Sequence, residues 1–331
     1  MNYQPVNTTT DTSFLPMISV VVPIYNGEAD LPELISCLLS QTYPKDRVEY
    51  LLVDNNSSDR TLTALKTTAE NCPITIRPLS ENQIQSSYAA RNTGIRAAKS
   101  EIIVFTDADC RPQPQWLTSL IQPFAQPNVV IVAGEIVALP GNTLLEQYAN
   151  SQETLSQKHT LAHSFCAYGQ TANLAIRRIA LEKAGLFRPH LTTGGDADIC
   201  WRILRQNIGR LEFAPEAIVQ HRHRTTLKEL ESQWRRYGRS NRYLHELHGV
   251  ELMREITPTE CGYRLVRWLL KEVLRNSVKA IAGKATVLDL LNTPIGLFTA
   301  RVRYTGQRDA KLPEKAKIIE RLTTTENHID K

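Results

Sequence analysis

ISVVVPIYNGEADLPELISCLL, residues 18–39, is the stretch whose reading decides the fold. Ile18 to Ile24 is rich in β-branched residues and ends at Pro23, Tyr25, Asn26 and Gly27, the pattern of a buried parallel strand opening into a loop. Beyond the loop, Leu31, Leu34, Ile35, Leu38 and Leu39 recur at helical spacing and form one apolar stripe, which stops before Tyr43-Pro44. The same unit then repeats. Tyr50 to Val53, Ile74 to Leu79 and Ile102 to Thr106 read as strands, and Asp59 to Glu70 and Ser86 to Lys99 as the helices between them. Alternation of this kind implies a mostly parallel sheet covered on both faces, with right-handed crossovers and a ligand site at the carboxyl ends of the strands.

Further along the pattern loosens. Val129 to Leu139, Gly169 to Ile176 and Leu211 to Gln220 read as strands around a helix from Asp198 to Gln206. Thr226 to Leu247 and Cys261 to Ala282 read as two basic amphipathic helices joined by a loop containing Pro258. The expected organisation is a disordered leader over 1–17, an α/β domain over 18–225 and a basic helical extension over 226–331. Within the domain, 18–110 forms a nucleotide-binding half and 111–225 an acceptor half.

Composition narrows the class. With 42% hydrophobic and 22% charged residues in 331, the chain has an ordinary globular balance, which excludes disordered, collagen-like and disulfide-scaffold classes. Six scattered cysteines form no CxxC pair, so the thiols are expected to be reduced, in a cytoplasmic setting and without a zinc site. The net charge is +5, and basic residues crowd between Arg202 and Arg308, which points to an anionic neighbour such as a membrane surface and not to nucleic acid. Arg264, Arg267, Lys271 and Arg275 interrupt the best apolar run, so the expected contact is peripheral, at the cytoplasmic face.

Chemistry concentrates at strand ends. Asp107-Ala108-Asp109 follows the apolar strand Ile102-Ile103-Val104-Phe105 and brings two carboxylates to the ligand edge. Hard oxygen donors there suit Mg²⁺ or Mn²⁺, which can bridge a diphosphate and stabilise it as a leaving group. Asp54 ends the strand Leu51-Leu52-Val53 and can accept a hydrogen bond from a base, while Ser58 or Asp59 can cap the helix opening at Thr61.

Four motifs in order, Val22-Pro23-Ile24-Tyr25-Asn26, Val53-Asp54-Asn55-Asn56-Ser57-Ser58-Asp59, Ala90-Arg91-Asn92-Thr93-Gly94 and Thr106-Asp107-Ala108-Asp109, make the chain resemble the family-two inverting glycosyltransferases of the GT-A fold, across Ile18 to Gly249. The resemblance implies a GT-A domain with a C-terminal helical extension and transfer of a sugar from a nucleotide-diphospho-sugar, with uridine as the base. Base contacts are implied from Pro23, Tyr25 and Asp54, with Asn26, Asn55, Ser57 and Ala108 in the same nucleotide-binding segments. Arg91 and Asn92 fall beside the sugar and diphosphate. Asp107 and Asp109 are the implied metal ligands, joined by a histidine, His221 ahead of His223.

Gly194-Gly195-Asp196-Ala197-Asp198 resembles the family's glycine and acidic segment before a helix and implies a catalytic base, Asp196 ahead of Asp198. Gly195, Asp198 and Trp201, together with Asn173 in the strand and turn of 169–178, are expected to line the sugar and acceptor pocket. This chain has Gly195-Asp196 where the family usually has Glu-Asp. Gln233-Trp234-Arg235-Arg236-Tyr237 only loosely resembles the Gln-x-x-Arg-Trp segment of processive members, which favours a single-addition enzyme acting on a saccharide, lipid or lipid-linked acceptor. A haloacid-dehalogenase-like phosphotransferase also uses Asp-x-Asp after a strand, but the Val53-Asp54 and Arg91-Asn92 motifs have no place in it. The other alternative is a catalytically silent sugar-nucleotide-binding or scaffold protein.

Overall fold

The computed structural model describes residues 14–281 and 286–322. Eight strands form one sheet in the order β3-β2-β1-β4-β7-β6-β8-β5, with β1 at Ile18–Ile24, β2 at Val48–Asp54, β3 at Thr75–Ser80 and β4 at Ile102–Phe105. The remaining strands are β5 at Cys110–Pro112, β6 at Val129–Ala138, β7 at Leu174–Arg177 and β8 at Arg210–His221. β1, β2, β3 and β4 pair in parallel, as the strand–helix alternation requires, and β1 pairs with a neighbour on either side. β7 then enters antiparallel to both β4 and β6, and β5 antiparallel to β8, so the sheet is mixed and mostly parallel.

Both faces of the sheet are covered. Val20, Val22 and Leu52 point to one side, where helices α1 (Leu31–Leu39), α2 (Thr61–Asn71) and α4 (Trp116–Ile121) bring Leu34, Leu38, Leu65, Trp116 and Leu120. Val21, Leu51, Val53 and Ile103 point to the other, against Ala90 and Ile95 of α3 (Ser87–Ala97). That second face is completed after two short helices, α5 (Leu144–Ser151) and α6 (Gln157–Leu161), by α7 (Arg178–Ala184) and α8 (Gly195–Arg205). Every residue of β1, β2 and β4 is buried, which is why their sequences run apolar without alternating.

The C-terminal part is helical: α9 (Leu227–His248), α10 (Pro258–Arg267), a π-helical turn over Trp268–Val273, α11 (Leu274–Ile281) and α12 (Val287–Asp309). The two basic helices expected from the sequence are α9 and the interrupted α10–α11 run, although residues 282–285 lie outside the described residues. Helix α12 was not anticipated, because Pro294 and a weak apolar period hide it, and it packs along α9. Of the expected leader, 1–13 lie outside the described residues, whereas 14–17 are held: Phe14 and Leu15 pack on the core, and Tyr43 donates its hydroxyl to Pro16 O at 2.5 Å. Residues 323–331 of the tail also lie outside the described residues. The segment 169–173, expected as strand, is instead a turn with a short 3₁₀ helix at Thr171–Asn173 that leads into β7.

Helices α9 and α12 touch through glycines. A Cβ at Gly238 would fall on Arg303 O of α12, and one at Gly306 on Arg235 O of α9. Backbone contact at this distance leaves nothing soft to move, so Gly238→Ala is expected to lower the stability in a urea titration by about 2 kcal/mol or more. Gly262→Ala, in open space on an exposed helical turn, should instead raise it by about 0.5–1 kcal/mol.

Candidate active site

A cavity of about 530 Å³ opens where the carboxyl ends of β1 and β4 meet the N-terminus of α8. Pro23, Tyr25, Asn26, Arg91, Asp107, Ala108, Asp109, Asp196 and His221 are on its wall. Residues from both halves of the α/β domain and from α9 therefore face one space.

The loop after β1 forms one rim of the cavity, and the loop after β2 holds it in place. Asn26 sits at φ 49° and donates its backbone N–H to Ser57 Oγ at 2.9 Å, while Ser58 N donates to Asn26 Oδ1 at 2.8 Å. Gly27 N donates to Thr61 Oγ1 at 2.9 Å, and Asp59 Oδ1 accepts from Thr61 N at 3.0 Å, which makes Asp59 the capping acid. Ser57 thus braces the loop carrying Tyr25 and is not on the cavity wall. Asp54 is buried at the end of β2; one carboxylate oxygen receives Ser57 N at 3.4 Å and the other has no hydrogen-bond partner among the described residues. An unpartnered buried carboxylate oxygen is costly, and in this structure that oxygen is closed off, with Asp54 not on the cavity wall.

The Asp-x-Asp loop is fixed by ion pairs. Arg91, nearly buried on α3, meets Asp107 Oδ1 at 2.5 Å. Asp109 Oδ2 lies 3.4 Å from His221 Nε2, brought alongside by the β5–β8 ladder that pairs Cys110 with His221. Arg111 pins the loop from behind, donating to Ala108 O and Cys110 O and pairing with Asp30 at 2.8 Å and Glu33 at 2.7 Å of the α1 region. Sequence reasoning passed over Arg111 because its two acidic partners lie some eighty positions away.

Ligand atoms of Asp109, Cys110 and His221 fall within 4.8 Å of one another. Cys110 is a poor member of that set. Burial pushes its thiol well above the usual range, and its Sγ faces Ala172 O, so the usable donors are the Asp109 carboxylate and the His221 imidazole. An oxygen-plus-imidazole set fits Mn²⁺ better than Mg²⁺. His223 is also buried but is not on the cavity wall.

Also on the wall, Asp196 lies in the first turn of α8 and accepts from Thr171 Oγ1 at 2.9 Å. Burial raises its carboxyl; the Arg91 charge and the Thr171 bond pull the other way without cancelling the rise. Tyr88 of α3, unforeseen from sequence, accepts the Gly195 N–H at 2.9 Å, and its ring fills the space a Cβ at Gly195 would enter at 2.6 Å. Glycine at this position is what lets the tyrosine hold the start of α8.

Several expected pocket residues serve the scaffold instead. Asp198 is fully buried, bonded by Arg188 and Arg202 at 3.0 Å and by His248 at 2.9 Å. Burial alone would raise its carboxyl, but the His248 bond and the charges of Arg202 and Arg188 overcome it and hold the pKa at about 2. Both its oxygens accept hydrogen bonds and it is not on the cavity wall, so its place here is that of a support. Asn173 receives Trp116 Nε1–H and donates to Glu135 O and Ala217 O. Asn92 bridges Phe187 and Glu320, and Asn55 donates to Glu81 O and Ile84 O. Trp201 is buried among Phe165, Tyr168 and His248 and donates to Cys166 O. None of these five, nor Gly195, is on the cavity wall.

A mostly parallel sheet whose strand ends bring an Asp-x-Asp loop, a histidine and an aspartate to one cleft has the arrangement of a GT-A glycosyltransferase. The comparisons agree. The family model described as glycosyl transferase family 2 matches residues 19–183, and that of glycosyl transferase family group 2 matches 102–300. Glycosyltransferase AglE of Haloferax volcanii is 35% identical over 230 residues, covering 68% of this chain and 73% of its own. The pre-mycofactocin glycosyltransferase of Mycobacterium tuberculosis is 29% identical over 266 residues, covering 77% of this chain but only 53% of its own length. Among solved structures, the mannosyltransferase PcManGT from Pyrobaculum calidifontis, in complex with GDP-Man and Mn²⁺, superposes with a TM-score of 0.56 at 20% identity over 92% of this chain and 88% of that one. The chain belongs to glycosyl transferase family 2 and is a glycosyltransferase.

Asp198 gives a stability prediction with a definite sign. Its folded pKa is depressed, so its contribution is full above the ordinary aspartate value near 3.8 and fades as pH falls toward 2. Asp198→Asn should cost about 3–5 kcal/mol at neutral pH, since it leaves buried cations without their partner, and its deficit should shrink in denaturant titrations run below pH 4.

Proposed function

We propose that the protein transfers a sugar from a nucleotide-diphospho-sugar, with uridine as the base, to an acceptor hydroxyl, inverting the anomeric centre. The observation that carries this reading is that Asp196 and the Asp107–Asp109 loop line one cavity. In this reading Pro23 and Tyr25 on the cavity wall contact the base, and Asp54, closed off beside them at the end of β2, would turn its unpartnered oxygen to a base N–H once the covering loop shifts. Arg91 steadies Asp107 and adds positive charge beside the diphosphate. Asp109 and His221 would hold the cation, with Asp107 of the same loop joining them as the resemblance implies, Mn²⁺ before Mg²⁺. A divalent ion there supplies Lewis-acid stabilisation of the departing diphosphate.

Asp196 takes the proton from the acceptor hydroxyl as that oxygen attacks the anomeric carbon from the face opposite the diphosphate. A carboxyl raised by burial is a stronger base than an exposed one, while Arg91 and Thr171 keep it available in its ionised form. Tyr88 and Gly195 anchor the turn that carries it. The complex of PcManGT with GDP-Man and Mn²⁺ supports a sugar-nucleotide donor and a divalent cation on this fold, and the uridine assignment rests on the resemblance of the Asp54 segment.

Thermal denaturation with UDP or GDP, each with Mn²⁺, Mg²⁺ or EDTA, tests the donor site. UDP with Mn²⁺ is expected to stabilise the protein by about 2.7 kcal/mol at a hundredfold excess over its Kd, and Asp109→Asn should lose the shift. Asp196→Asn should keep the shift while lowering transfer, followed with a panel of UDP-sugars, by about 10²-fold or more. A GDP-selective shift would reassign the base, and a shift without transfer to any acceptor would favour a silent binding protein. Undiminished transfer by Asp196→Asn would remove it as the base.

A further inference from the structure

The α10–α11 run leaves its apolar side uncovered. Tyr263, Val266, Leu270 and Leu274, spaced three and four apart on one face, are each between 56% and 67% exposed, and Leu269 beside them is 57% exposed. Each of those four is followed directly by a cation, Arg264, Arg267, Lys271 or Arg275, so a row of positive charge runs along the edge of the apolar stripe. Arg264 and Arg267 have acidic neighbours in Glu260 and Glu272 at 3.4 and 3.8 Å, while Lys271 and Arg275 have no ion pair among the described residues. A third side faces α12: Trp268 donates to Leu290 O, Asn276 to Asp289 O, and Glu272 accepts from Thr293 Oγ1. The protein thus grips this helical run by one side and presents the other two.

We propose that this surface docks on an anionic lipid bilayer, with the run lying in the plane of the interface. A bilayer surface offers an apolar layer and, one step outward, negative headgroups, which is the order of the stripe and the cation row. A second copy of the chain docking stripe to stripe would bring another row of cations and no acidic row to meet them. Tyr263 suits the headgroup level, with an apolar ring and a polar tip. Among the described residues no helix is long and apolar enough to cross a membrane, so the contact is one of lying on the surface. Helix α12 links the run to α9, whose Gln233, Arg236, Tyr237 and Ser240 are on the cavity wall. Resting on the proposed glycosyltransfer, docking here would hold the cavity near an acceptor carried on or in the membrane.

Flotation of the full chain with vesicles tests the surface independently of catalysis. The protein is expected to float with vesicles of phosphatidylcholine containing about a third phosphatidylglycerol, and at least ~10-fold less with phosphatidylcholine alone or in high salt. Leu270→Ser with Leu274→Ser, and separately Lys271→Gln with Arg275→Gln, should each cut the bound fraction by about 5-fold or more. The stabilisation by nucleotide and Mn²⁺ should persist in both variants, and its loss from the native chain alone would count against the donor site and not against docking. Equal flotation of native and variant chains, or none by the native chain, would overturn the proposal. So would a lipid-free dimer abolished by the two leucine substitutions.

Discussion

The paired ladders of β1 carry the rest of the molecule. Because β1 lies between β2 and β4 and runs parallel to both, the ends of these strands are forced to one edge, with Ile24 beside Asp54 and Val21 beside Phe105. β1 and β2 therefore release Tyr25 and Asn55 at one level, while β4 stops three positions earlier in register, opposite Val21, and releases Thr106-Asp107 at the same edge. The loops then have no room to be independent. Asn26 and Ser57 hold each other, Arg111 ties the Asp-x-Asp loop to α1, and Arg91 reaches it from α3. The cleft is polar because strand-end loops make up much of its wall, and it is ordered because those loops share hydrogen bonds.

A second set of constraints lies beneath the cavity. Asp198, with Arg188, Arg202 and His248, fastens α8 to α9 and to the turn before α8. Asn92 and Arg96 reach Glu320 near the end of the described chain, and Arg188 donates to Lys317 O, so the 312–320 segment is stitched back across α3 and the turn before α8. Leu312 and Ala316 are buried there. These bonds explain why motif residues divide as they do: of neighbours such as Arg91 and Asn92, or Asp196 and Asp198, one faces the cavity and the other the core. Helical geometry puts successive positions on different sides, so a motif read as one unit supplies both a ligand-facing group and the support behind it.

The C-terminal helices are part of the site as well as an extension of it. Helix α9 contributes cavity wall, and its approach to α12 is so close that glycine is required on both partners. Tight backbone packing transmits position, so the exposed α10–α11 run sits at a set place relative to the cleft. Lys271 and Arg275, without an ion pair among the described residues, lie there beside the exposed Leu269, Leu270 and Leu274.

Much was legible in the chain alone. Strand and helix periodicity, the strand-end position of Asp107 and Asp109, and the ordered motifs determine the α/β class, the location of the ligand edge and the glycosyltransferase family, because these depend on local spacing and on which residue types can emerge from a buried strand. Tertiary structure alone decided which members of each motif face the cavity. It turned Asn55, Asn92, Asn173, Asp198 and Trp201 into supports, set Tyr88 against Gly195, and brought Arg111 to Asp30 and Glu33. Those outcomes rest on partners distant in sequence. A buried amide or carboxylate must find whatever donors and acceptors the packing delivers, and no local pattern states which those are.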